Sequence, residues 1–213
     1  MPFIGDLLVL LSVLMFSLTI HEMSHALAAD WCGDPTARLL GRVSLNPMVH
    51  LDAVGSVFLP LILAMSPGGF VFGWAKPVPV NTGNLKNGRR DFWIVAIAGP
   101  ASNLALAVAA SLLLGAMPNQ IGSSEVTQVE PLTQGLGLLV RLNLLLAVFN
   151  MLPVPPLDGG NVLVGLLPES LATRYDRFIR PYGFAILILL MLTDLVDFLI
   201  RPPYIVLTRW LLP

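Results

Sequence analysis

Long apolar runs constrain this chain more than any other feature. Residues 3–29, Phe92 to Met117, Thr133 to Leu152 and roughly Pro181 to Ile200 each have the length and apolarity of a membrane-spanning helix. Composition agrees: 55% of residues are hydrophobic, 12% are charged and mean hydropathy is +0.78, outside the range of soluble domains. In hydrocarbon every backbone polar group must find its partner within the protein, so such runs are expected as helices. At 213 residues the expectation is a single domain over 1–213. The first run, Phe3 to Ile20, has no basic leading region and no clean cleavage site, so it reads as a retained membrane helix rather than a signal peptide.

A fifth apolar stretch, Ala53 to Met65, is short for a span and is bounded by Asp52 and Ser66-Pro67-Gly68-Gly69. Charge decides how to read it. Residues 30–91 carry Arg38, Arg42, Lys76, Lys86, Arg89 and Arg90, and residues 153–180 carry Arg174, Arg177 and Arg180, whereas 118–132 carry no basic residue. Lys and Arg favour cytoplasmic loops. A full crossing at 53–65 would split the first basic group across the membrane; a re-entrant hairpin over about 51–66 keeps it on one side. The N-terminus is then outside, and the first helix ends inside, in a multi-pass protein of a cell or inner membrane. Ala37 to Leu45 and Gly69 to Asn81 read as extended, which predicts a small sheet at the membrane surface. The fold class expected is an all-α polytopic membrane protein with about four spanning helices, a re-entrant hairpin and that sheet.

The first helix carries His21-Glu22-Met23-Ser24-His25 near its inner end. Residues four apart share a helical face, so His21 and His25 can present two imidazoles to one metal ion with Glu22 beside it as a base. Ionisable groups clustered in an apolar helix are costly unless paired, hydrated or metal-bound, which favours function over chance. The pattern is that of metal-assisted peptide hydrolysis with zinc.

A catalytic zinc usually has three protein ligands. Cys32 is the single cysteine, so neither a disulfide framework nor a cysteine-built zinc site is available, and the third donor must be His or a carboxylate. Asp158 is the best candidate: it follows Asn150-Met151-Leu152-Pro153-Val154-Pro155-Pro156-Leu157, where prolines break the helix, and precedes Gly159-Gly160. Its other local reading is a helix N-cap. With net charge −1 and no Lys/Arg-rich block, nucleic acid is not an expected partner.

HEMSH, Ser44-Leu45-Asn46-Pro47, Gly73-Trp74-Ala75-Lys76-Pro77-Val78, Ala98-Gly99-Pro100-Ala101-Ser102-Asn103 and the Asn150 to Gly160 run occur in this order. In them the chain resembles the site-2 protease family of intramembrane zinc metalloproteases, peptidase family M50, in the compact form that lacks a PDZ domain. The resemblance implies a three-helix catalytic core, about 3–29, 92–117 and 133–152. It also implies one Zn2+ held by His21, His25 and Asp158, Glu22 as general base, and Asn103 and Asn150 in substrate binding or transition-state support. The expected substrate is a membrane protein cleaved in or near a locally unwound transmembrane segment, since a closed helix shields its carbonyls. The alternative is a non-proteolytic zinc-binding membrane protein, a scaffold or metal carrier. His50 reads as a hydrogen-bonded structural residue, Arg141 as a snorkelling side chain, and Asp194 and Asp197 as residues at a helix end.

Overall fold

A computed structural model describes residues 2–58, 62, 74–117, 126–193 and 195–212. Among them the chain is helical: α1 (Pro2–Trp31), α2 (Thr36–Leu39), α3 (Arg89–Gly115), α4 (Val126–Asn150), α5 (Asp158–Leu166), α6 (Glu169–Phe178), α7 (Gly183–Met191) and α8 (Leu195–Leu211), with short 3-10 and π turns between. Among the described residues three helical stretches are long and apolar enough to cross a membrane, Leu8–Trp31, Arg89–Gly115 and Pro131–Asn150, close to the first three runs expected.

The α3 helix is the hub, packing against α1, α4 and α5. Its contact with α4 is made by Ala107 and Ala110 against Val140 and Leu144, all buried. Small residues let the helix backbones approach closely, which matters where lipid supplies no hydrophobic drive between helices. On the outward face Leu112 and Leu113 are 69% and 60% exposed, as side chains facing lipid should be. At the other end of α3, Arg89 donates to the carbonyls of Val164 and Leu167. It thereby satisfies the last turn of α5 and ties that short helix to the hub. Asp91, in the first turn of α3, accepts from the Asn87 backbone N–H at 2.8 Å, favourable at a helix N-terminus.

Two expectations change. The fourth run is not one helix: α7 and α8 meet at a break between Met191 and Leu195, and the longer stretch containing them, Glu169–Met191 with Leu195–Leu211, bends there by 80°. Thr193 at the break bonds back to Leu190 O instead of extending the helix; Asp194 lies outside the described residues. No strand occurs among the described residues. Ala37 to Leu45 contains the end of α2 and a tight turn at Gly41, φ +71°. Of the expected segment Gly69 to Asn81, residues 69–73 lie outside the described residues, and 74–81 join neither helix nor ladder; prolines at 77 and 79 limit the donors available for a ladder. The stretch expected to re-enter, about 51–66, contains a π-helical turn, Ala53–Phe58; apart from Ile62, residues 59–66 lie outside the described residues, and nothing described shows a hairpin there.

A buried carboxylate closes the end of the bundle at which α1 terminates. After α1, Gly33 takes φ +108°, a conformation suited to glycine, and delivers Asp34 to a fully buried position. Asp34 accepts from Thr36 N at 3.2 Å, Thr36 Oγ1 at 2.5 Å, Asn81 N at 2.7 Å and Asn84 Nδ2 at 3.0 Å. Burial pushes its pKa up, but these donors outweigh burial and hold it below the ordinary aspartate value. A carboxylate with a depressed folded pKa stabilises the protein above its unfolded pKa and loses that contribution as pH falls through the folded value. Asp34→Ala is therefore expected to cost about 2 to 4 kcal/mol near neutral pH. The difference from wild type should shrink below about pH 4, as read by graded denaturant unfolding in detergent.

Candidate metal centre

The HEMSH turn lies on the face of α1 that packs against α3. His21 and His25 are 4% and 8% exposed, and their ring centroids are 4.7 Å apart in an edge-to-face arrangement. What allows α3 so close is Gly99. A Cβ there would stand 2.6 Å from His21 Cε1 and 2.7 Å from His21 Nε2, distances no real side chain tolerates.

Each imidazole has its Nδ1 engaged behind the site. His25 Nδ1 lies 2.7 Å from Val95 O; a backbone carbonyl only accepts, so Nδ1 carries the proton and Nε2 bears a lone pair. His21 Nδ1 lies 2.6 Å from Asn103 Oδ1 and donates likewise. The two Nε2 atoms are 3.1 Å apart.

Asp158 completes the group from a distant part of the chain. Backbone turns from Leu152 to Leu157, including Val154 N to Leu152 O at 2.8 Å and Leu157 N to Val154 O at 3.0 Å, redirect the chain after α4. Asp158 then opens α5. Its predecessor, Leu157, is the N-cap and provides no side-chain cap, so the capping reading of Asp158 is not realised. The carboxylate instead faces the histidines, Oδ2 3.1 Å from His21 Nε2 and Oδ1 3.3 Å from His25 Nε2. Gly159 permits this: a Cβ there would run into the Met151 and Leu152 carbonyls.

The donor set fits a metal ion. Two imidazole lone pairs and a carboxylate confront one another, with one ligand atom from each residue within 4.8 Å of the others, and buried Asp158 Oδ2 has no hydrogen-bond partner. Three acceptors converging without a proton between them repel unless a cation lies among them. Two His and one carboxylate is a donor combination used for catalytic zinc.

This group opens into a cavity of about 670 Å3 whose walls include Leu18, Glu22, Trp74, Val78, Phe149 and Asn150. Glu22 and Asn150 thus share the space with the donor set. Asn103 does not: it is fully buried, bonded to His21 on the far side of the ring. Such a position supports an imidazole rather than a substrate. His50 is buried with Nε2 2.9 Å from Ser44 O and is no member of the three-residue group. Arg141 is exposed, and Asp197 pairs with Arg201 at 2.9 Å on the surface. The sequence reading passed over Asn143 and Ser17, which continue the hydrogen bonds behind Asn103. The available signal was an asparagine inside an apolar helix, two turns before Asn150 and on the same face.

Long apolar helices that bring a His-Glu-x-x-His turn and a remote aspartate into one pocket define a membrane-embedded metalloprotease. The chain belongs to peptidase family M50, whose family model matches residues 9–135 and 116–191. It is 38% identical over 194 residues to a Bacillus subtilis (strain 168) protein named "Putative zinc metalloprotease YwhC", covering 91% of this chain and 84% of the relative. It is 31% identical over 201 residues to "Putative zinc metalloprotease Rip2" of Mycolicibacterium smegmatis, covering 92% and 71%. No solved structure matches the chain.

Gly99→Ala is expected to displace the imidazoles and lower bound metal at least tenfold, within the range for perturbed ligand support. Gly115→Ala, where nothing lies within 4 Å of a new Cβ, should leave metal content unchanged; metal analysis of the purified proteins reads both.

Proposed function

We propose that this chain is an intramembrane zinc-dependent endopeptidase acting as a single domain. The observation that carries the reading is the convergence of the His21 and His25 lone pairs with the Asp158 carboxylate at one end of a cavity that also contains Glu22. His21, His25 and Asp158 would hold one Zn2+. A zinc ion there supplies Lewis acidity, polarising a peptide carbonyl and acidifying water. Glu22 receives the proton from the attacking water and passes it to the leaving amine. Asn103 acts through His21, and Asn150, on the cavity wall, contacts the substrate.

A transmembrane helix must unwind before its carbonyls can be attacked. Residues 74–80, which join no helix or ladder, suit an unwound segment: Trp74, Ala75, Pro77, Val78 and Val80 line the cavity. Among the described residues the backbone N–H groups of Val78 and Val80 donate no hydrogen bond. An extended substrate would pair with them by strand addition, without a pre-existing sheet. The basic loops share one end of the bundle, since Lys86 N bonds Cys32 O at 3.0 Å and Arg89 bonds Val164 O at 2.5 Å. With positive charge favoured inside, this end and the metal centre face the cytoplasm, and the N-terminus lies outside.

Glu22→Gln separates a protease from a zinc-binding scaffold or carrier. Cleavage of a membrane-protein substrate should fall by about 10²-fold or more with zinc content unchanged; undiminished cleavage removes Glu22 as the base.

A further inference from the structure

Behind His21 the hydrogen bonds run inward rather than toward the cavity. Asn103 Nδ2 is 2.7 Å from Asn143 Oδ1, and Asn143 Nδ2 is 2.9 Å from both Ser17 Oγ and Leu139 O. Ser17, Asn103 and Asn143 are each fully buried, so water cannot substitute for a missing partner.

We propose that Asn143 is a positioning residue that determines which nitrogen of His21 carries the proton, and so which one is available to a metal ion. The inference rests on the zinc reading above and follows from donor and acceptor identity alone. Leu139 O is a carbonyl and only accepts, so the Asn143 group facing it is the NH2. The Ser17 hydroxyl donates to Val13 O at 2.8 Å, which leaves Ser17 Oγ as a second acceptor for that NH2. Asn143 therefore turns its oxygen to Asn103, which must answer with its own NH2. The Asn103 oxygen then faces His21 Nδ1, which must be N–H, and the lone pair is left on Nε2, toward His25 and Asp158.

Two features anchor this polarity. The Leu139 carbonyl lies one turn before Asn143 in α4, so the orienting acceptor is part of the same helix. Asn103 sits one turn beyond Gly99 in α3, the residue that lets the imidazoles approach. Reversing the order would place NH2 against N–H or oxygen against oxygen at a buried position, a substantial cost. Outer hydrogen bonds that fix the tautomer of a ligating histidine commonly account for 10- to 100-fold in metal affinity.

The test compares two variants of similar size in the full-length protein in detergent micelles, with Zn2+ affinity read by chelator competition. Asn143→Leu removes the acceptor for Asn103 and frees its amide to turn over; affinity should fall about tenfold. Asn143→Asp keeps an oxygen toward Asn103 and should hold affinity within about threefold of wild type, less than the loss expected for an outer hydrogen-bonding partner. A packing role would impair both alike. Equal losses in the two variants, or a folded Asn143→Leu with wild-type affinity, would overturn the proposal. Should Asn143→Leu not fold, the wild-type protein loaded with 113Cd decides: one-bond 15N–113Cd coupling is expected at His21 Nε2, and coupling at Nδ1 refutes the assignment. Absence of Zn2+ binding in wild type, with 15N shifts of neutral His21 showing Nδ1–H, would sink the zinc reading and uphold the polarity.

Discussion

A polar side chain inside an apolar bundle has to be given its partners by the protein, because lipid offers none. That requirement organises the interior around the HEMSH turn. His21 is backed by Asn103 on α3, which is backed by Asn143 on α4, which returns to Ser17 on α1. The circuit passes through all three long helices. Each link joins two of them, so the bonds that orient the imidazole also set the relative depth of the helices.

The other half of the design is steric. Gly99 removes the side chain that would occupy the imidazole positions, and Gly159 removes the one that would prevent Asp158 from turning toward them. Neither glycine has a left-handed backbone; both are there for close approach. Between them α1, α3 and α5 converge until two nitrogens and a carboxylate lie about 3 Å apart. The site is therefore a product of helix packing as much as of ligand identity. The basic stretches meet at the same end, where Arg89 closes α5 and Asp34 ties the exit of α1 to the 81–84 turn.

Much of this was legible in the chain itself. Hydropathy placed three spanning helices to within a few residues at most ends, and four-residue spacing placed His21 and His25 on one face. The prolines before Asp158 marked it as a residue at a broken helix end. The surface sheet and the unbroken C-terminal helix were misread for one reason: both depend on what lies alongside. Prolines 77 and 79 keep residues 74–81 out of a helix, yet a non-helical segment becomes a strand only when a partner is in register. The 181–200 run contains Thr193, Asp194 and Asp197, but mean hydropathy over a span does not say that the chain bends after Met191, and the direction of the bend is set by packing of α8 on α4.

By itself the sequence determined that this chain lives in a membrane, that it belongs with the M50 peptidases, and which residue types it offers to a metal. The first and the last follow from composition and local spacing, which need no knowledge of neighbours, and the second from the resemblance of its motifs, in their order, to that family. Only the tertiary structure decided that Asn103 is bonded to His21 instead of facing the cavity, that Asp158 faces the histidines instead of capping α5, and that Asn143 is bonded to Asn103 behind them. The physical reason is that a hydrogen bond is a relation between groups far apart in the chain. An asparagine in an apolar helix announces that it needs a partner, and the fold determines which one it receives.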